Sequence, residues 1–157
     1  MSLSIREARL PADKPVILDF ILGLQRFEAA FEPNRRLDDA YVEDQFAALA
    51  AKFARGKIFI AEAGGAPVGW AVVHEEAGES YECAEERRFA YIRELYVSEA
   101  ARGLGAGRAL IAACEGWARS RGFSTIRIGH LAENGRAEAV YARAGYAPYV
   151  VQRRKNL

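Results

Sequence analysis

Residues 91–110, YIRELYVSEAARGLGAGRAL, constrain this chain more than any other stretch. They read as an apolar strand, a short polar bend, an Arg-Gly-x-Gly-x-Gly loop and the start of an amphipathic helix. Gly103, Gly105 and Gly107 alternate, so the backbone can turn tightly and bring its amides close to a ligand. The helix that begins there adds unpaired N–H groups and the positive end of its dipole. Such a loop is a cradle for phosphate or pyrophosphate, and its spacing decides which ligand it suits.

Two common phosphate loops fail that spacing. A Walker A loop needs a Lys-Ser/Thr pair after Gly-x4-Gly, but LGAGRAL follows Gly103. A dinucleotide fingerprint needs Gly-x-Gly-x-x-Gly. Counted from Gly103 its last position is Arg108, and counted from Gly105 it is Leu110. The acidic residue that fingerprint places about 20 positions later is also missing from Ser124–Gly129.

Composition narrows the class further. At 157 residues the chain is expected to be one domain, 1–157, around one core. A formal net charge of +1 gives no global field for nucleic acid. No apolar run reaches the ~20 residues of a membrane helix, so no membrane partner is expected. The N-terminus lacks an apolar leader, which makes a cytoplasmic location the expectation. Cys83, Cys114, His74 and His130 are too few and too scattered for a disulfide framework or a zinc site, so no metal is expected.

Periodicity predicts the order β-α-α-β-β-β-α-β-α-β, an α/β arrangement with mixed strand directions. Ser4–Arg9 opens as a strand. Asp13 and Pro15 start a helix carrying Ile17, Phe20, Ile21, Leu24 and Phe27 at helical spacing. A second helix spans Asp38–Ala54. Strands Lys57–Ala63 and Val68–His74 flank a Gly64-Gly65-Ala66-Pro67 turn. Phe89–Val97 leads into the glycine loop. The helix Gly105–Arg121 turns Leu110, Ile111, Cys114, Trp117 and Ala118 to one side. Thr125–Gly129 is a strand, Asn134 caps a helix ended by Gly145, and Tyr146–Arg153 is a last strand.

Arg102-Gly-Leu-Gly105-Ala-Gly107 resembles the acyl-coenzyme A loop of the GNAT N-acetyltransferase superfamily, written Arg/Gln-x-x-Gly-x-Gly/Ala. A second segment, Asn134-Gly-Arg-Ala137 through Val140-Tyr141 to Gly145-Tyr146, is similar to that family's Asn-x-x-Ala…Tyr-x-x-x-Gly-Phe, with Tyr146 for Phe. The resemblance implies the GNAT fold, a mixed, mostly antiparallel sheet of six to seven strands with about four helices. It also implies acetyl-coenzyme A as co-substrate. Amides of Arg102, Gly103, Leu104, Gly105, Ala106, Gly107 and Arg108 would hold its pyrophosphate. Its pantetheine arm would follow Leu95, Tyr96 and Val97, where that strand splays from Thr125–Gly129, and Asn134 would contact the arm. Tyr141 would sit by the sulfur. The family also admits a homodimer, through Ala147–Gln152.

Transfer to an amine poses two proton problems. An alkylammonium of pKa ~10.4 must lose a proton before it attacks, and the departing thiolate must gain one. Tyr141 suits the second step, because a phenol of pKa ~10 is close to a thiol in proton affinity. For the first, Glu94 is the only acid in Phe89–Val97. Strict alternation puts it on one face with Ile92 and Tyr96. Some relatives carry the acid one place earlier, where this chain has Arg93. Glu28, or a chain of waters, is the alternative base. Glu75, Glu76, Glu79, Glu82, Glu85 and Glu86, with Tyr81 and Phe89 among them, would attract a cationic amine if they bordered the site. The expected activity is direct transfer of acetyl to a small-molecule or peptide amine. A non-catalytic acyl-coenzyme A sensor is the alternative.

Overall fold

A computed structural model describes residues 2–157; Met1, the first residue of the expected domain, lies outside the described residues. The chain runs β1 (Leu3–Glu7), α1 (Lys14–Glu28), α2 (Asp39–Ala50), β2 (Gly56–Ala63), β3 (Ala66–Ala77), β4 (Arg88–Val97), α3 (Ala106–Ser120), β5 (Ile126–Ile128) and α4 (Gly135–Arg143). Short 3-10 turns lie at Phe53–Arg55 and Glu99–Ala101. The strands form one sheet in the order β1-β2-β3-β4-β5. β1 to β4 pair antiparallel and β5 joins β4 in parallel, with α3 as the crossover that a parallel pair requires.

The mixed, mostly antiparallel α/β class is the expected one, but the sheet has five strands among the described residues instead of six to seven. The difference lies in Tyr146–Arg153, which forms no strand. Tyr149, Val150 and Val151 are 68%, 76% and 74% exposed. Its neighbour β5 is only three residues long, and Pro148 has no N–H to give to a ladder. Side chains hold the segment instead. The Arg127 guanidinium lies 4.6 Å from the Tyr149 ring centre, and Arg154 Nη1 lies 2.8 Å from Glu32 Oε1.

Two apolar layers sandwich the sheet. On one face Ile17, Phe20 and Ile21 of α1 and Val42 and Leu49 of α2 pack on Ile58, Ile60, Trp70 and Val72. On the other, Ala106, Leu110, Cys114 and Ala118 of α3 pack on Ala71, Val73, Ala90 and Ile92. Fully buried side chains such as Ile17 and Leu110 contribute about 1.5–3 kcal/mol each. Asp13 does not cap α1 as its position predicts. Its carboxylate takes the Arg9 amide at 2.5 Å and the Arg6 guanidinium at 2.7 and 2.9 Å, which ties β1 to the helix. The second helix is shorter than Asp38–Ala54: Asp38 stands outside as its cap, accepting from the Tyr41 amide, and the end tightens into the 3-10 turn.

β4 departs from strict alternation in one place. Its ladder with β3 steps from Val72↔Glu94 to Val73↔Ile92, so Arg93 is an extra, bulged residue. Ile92 therefore joins the α3 layer, while Tyr96 packs with the α1–α2 layer and Glu94 bonds to α2. The predicted common face of Ile92, Glu94 and Tyr96 is thus broken by the bulge. The ladder between β4 and β5 ends at Ile92↔Ile128. Beyond it, among the described residues, no strand pairs with the outer edge of β4.

Candidate active site

The free edge of β4 forms the floor of a cleft. Leu24, Phe27 and Glu28 of α1 wall one side, and Asn134, Ala137, Val140 and Tyr141 wall the other. Leu95, Tyr96 and Val97 line it along the strand, with Arg102 and Gly107 at the glycine loop. The structure places these last residues in one cleft with Asn134 and Tyr141, which the sequence also grouped. Gly103, Leu104, Gly105, Ala106 and Arg108 do not line this cleft. Ala106 turns its methyl into the α3 layer, and Leu104 is 53% exposed.

The loop offers its backbone. Gly103 and Gly105 take φ of 84° and 86°, a left-handed conformation that glycine adopts at no steric cost. Gly107, by contrast, is already helical. The amides of residues 103–108 have no backbone acceptor among the described residues, as expected of a loop entering a helix. The Arg102 amide is different from the expectation. It donates to Glu99 O at 3.1 Å, closing the 3-10 turn, and so is not available. Arg102 acts through its side chain, with Nε donating to Val97 O at 3.3 Å and the guanidinium 4.7 Å from the Phe27 ring centre.

Asn134 is buried, and its Oδ1 accepts from the Ala137 amide at 3.1 Å. This cap fixes the start of α4, and Asn134 is part of the cleft lining. Tyr141 lies about two turns further along, its ring between His130 at 5.7 Å and Tyr146 at 6.3 Å. Burial, and then the charges of Glu28, Tyr91 and Glu94, push its phenol above the ordinary range. Its proton is firmly held at neutral pH.

A second, more polar cavity opens on the other side of Glu94. Gln25, Arg35, Tyr41, Gln45 and Tyr91 line it, and Glu28, Arg93, Glu94 and His130 line both cavities. Burial pushes the Glu94 carboxyl up to about 7, with Glu28 adding to the rise. Gln45 Nε2 opposes it by donating to Glu94 Oε1 at 3.0 Å. Glu28 is also raised by burial, against Arg35 at 2.9 Å. Arg35 in turn pairs with Glu32 and donates to Gln25 Oε1. Gln25, Arg35, Tyr41 and Gln45 escape sequence reasoning. Gln25, Arg35 and Gln45 look like the polar side of a helix or connection until α1 and α2 are laid against β4, and Tyr41 reads only as part of the inner face of the second helix.

The acidic run is elsewhere. None of residues 75–86 lines either cavity. Glu75 pairs with Arg88 at 2.6 Å and Glu82 with Arg127 at 3.2 Å. Tyr81 is 85% exposed, and Phe89 lies under the Arg127 guanidinium. The run sits where β4 begins, and six residues of extended strand, about 20 Å, separate Arg88 from Glu94. Among the described residues no group of three or more His, Cys, Asp or Glu could hold a metal ion. None of their helices is long and apolar enough to cross a membrane.

The sequence matches the family model described as Acetyltransferase (GNAT) family over residues 22–146. No curated protein matches it in sequence. Among solved structures, the BH1408 protein of Bacillus halodurans has a similar fold: TM-score 0.85 at 18% identity, over 98% of this chain and 99% of that one. An aminoglycoside antibiotic 6'-N-acetyltransferase from Acinetobacter haemolyticus gives 0.72 at 16%, over 98% and 99%. AAC(6')-Iy, solved in complex with the bisubstrate analogue CoA-S-monomethyl-acetylneamine, gives 0.67 at 23%, over the whole of both chains.

Proposed function

The chain belongs to the GNAT acetyltransferase family, and from that premise we propose that it moves an acetyl group from acetyl-coenzyme A to a primary amine of a small molecule or peptide, by direct attack with both substrates bound. One observation carries this reading: the two cavities meet at Glu94, one beside the free edge of β4 and the amide loop, the other among polar side chains. The whole chain works as one acetyltransferase domain.

The residues present fit the coenzyme. The amides of Gly103–Arg108 and the dipole of α3 take the pyrophosphate, with Arg108 as counter-charge. The β4 edge at Leu95, Tyr96 and Val97 pairs with the amide-rich arm, and Asn134 meets it from α4. Arg102 braces the loop against β4 and Phe27. When bound, the coenzyme supplies an activated thioester.

Glu94 receives a proton from the incoming ammonium and leaves the neutral amine with its lone pair. A carboxyl held near 7 is half ionised at neutral pH and is a far better base than an ordinary one. An amide of the β4 edge near Leu95–Tyr96 meets the charge that grows on the carbonyl oxygen. Tyr141, which holds its own proton, gives it to the departing sulfur, and the proton that the attacking nitrogen sheds as the tetrahedral adduct collapses restores the phenol. A cationic acceptor meets Glu28 and Glu94 in the second cavity; the acidic run is too far away to attract it.

The test is thiol release from acetyl-coenzyme A with a panel of amines: aminoglycoside, polyamine, amino acid and peptide. Amine-dependent release is expected. Tyr141→Phe should slow turnover by about 10²-fold with the coenzyme A dissociation constant unchanged. Thermal stabilisation by coenzyme A with no release for any amine would instead mark a coenzyme-binding module.

A further inference from the structure

We propose that Gln45 is a positioning residue for this reaction: it holds the Glu94 carboxylate through Oε1 and leaves Oε2 to take the acceptor's proton. The inference rests on Glu94 as the base, the reading given above.

Gln45 is out of place for an ordinary surface residue. It follows Val42 by three and precedes Leu49 by four, so it lies on the stripe of α2 that both of those residues bury in the core. A polar side chain there needs a partner. It finds one across 49 residues of sequence, donating from Nε2 to Glu94 Oε1 at 3.0 Å. The bond exists because the bulge at Arg93 turns Glu94 toward α2. Both side chains line the second cavity.

The chemistry follows from the direction of the bond. An N–H binds a carboxylate oxygen more strongly when the carboxylate is ionised. Gln45 therefore favours the form of Glu94 that can accept a proton, in a setting where burial favours the form that cannot. It also occupies one of the two oxygens, which directs the proton to the other. The remaining charged and titratable groups around Glu94 come from every neighbouring element. They are Glu28 of α1, Arg35 of the α1–α2 connection, Tyr41 of α2, Tyr91 and Arg93 of β4, His130 after β5 and Tyr141 of α4. Among the described residues, the Gln45 amide is the side-chain hydrogen bond that Glu94 has.

The experiment titrates the Glu94 carboxyl by carbon NMR in protein labelled at the glutamate carboxyl, with Glu94→Gln identifying the signal. It then compares the pH dependence of kcat/KM, using acetyl-coenzyme A and the fastest amine of the panel. Gln45→Leu should raise the Glu94 midpoint by about one unit, costing roughly tenfold in rate a unit below the limb and recovering at high pH, with the KM for acetyl-coenzyme A unchanged. Leucine suits the apolar stripe, so folding is preserved. Gln45→Glu, of the same shape, should raise the midpoint further by like-charge repulsion. An unmoved midpoint in both variants, or a rate loss equal at every pH, would overturn the role of Gln45. A midpoint that moves while the rate limb stays would overturn Glu94 as base instead, as would a limb that survives in Glu94→Gln.

Discussion

A carboxyl group drawn out of water keeps its proton, and Glu94 keeps its own up to about pH 7 against an ordinary value of 4.5. That has a cost in stability whose sign is fixed. Between pH 4.5 and 7 the unfolded chain has released this proton while the native chain still binds it, so stability from this group falls as pH rises across that window. The full loss, reached above pH 7, is on the order of 3 kcal/mol. Glu94→Gln removes it. Calorimetry should find the variant melting close to the native protein near pH 4.5 and clearly above it at pH 8. A gap that does not change with pH would contradict the buried-carboxyl account. The same burial that weakens the fold here is what fits the group to the proposed role of base.

At the scale of elements, the junction between β4 and α3 carries the proposed donor site through backbone geometry. No atom lies within 4 Å of a Cβ built on Gly105, so the cost of Gly105→Ala is conformational alone. Its φ of 86° costs an L-residue about 1–2 kcal/mol. If alanine relaxes toward negative φ, the amides that follow rotate away from a common focus. The expected result is a drop of a few degrees in melting temperature and coenzyme A binding weaker by roughly tenfold, read by calorimetric titration. Gly116→Ala is the control: it is equally uncrowded but within α3, and should leave coenzyme binding alone while stabilising by roughly 0.5–1 kcal/mol. This junction was legible in the sequence because glycine spacing and helix onset are local properties. The Arg102 amide was not, since its capture by Glu99 depends on how the bend closes. Nor was the missing strand at Tyr146–Arg153, since apolar alternation makes a strand only where an edge is there to pair with it.

At the scale of the molecule, two helical layers and a split sheet bring the cavities together at Glu28, Arg93, Glu94 and His130. The proposed donor and acceptor cavities are then side by side, and the proposed transfer needs no covalent relay. Cys114 is fully buried with its thiol pushed up to about 12, and Cys83 lies in the acidic run away from both cavities. Initial-velocity plots should therefore intersect, and mass spectrometry after incubation with acetyl-coenzyme A alone should find no acetyl adduct on the protein. Parallel plots together with an adduct would require a different route.

The sequence by itself determined the residues of the proposed donor half. Gly103, Gly105, Asn134 and Tyr141 sit within two short strand-loop-helix units, where spacing along the chain is nearly spacing in space. Only the tertiary structure assembled the cavity proposed for the acceptor. Gln25, Arg35, Tyr41 and Gln45 meet Glu94 because α1 and α2 cover that face of the sheet and because one bulge reverses the alternation of β4. A single extra residue in a ladder turns a side chain from one face to the other. Neither composition nor periodicity records it.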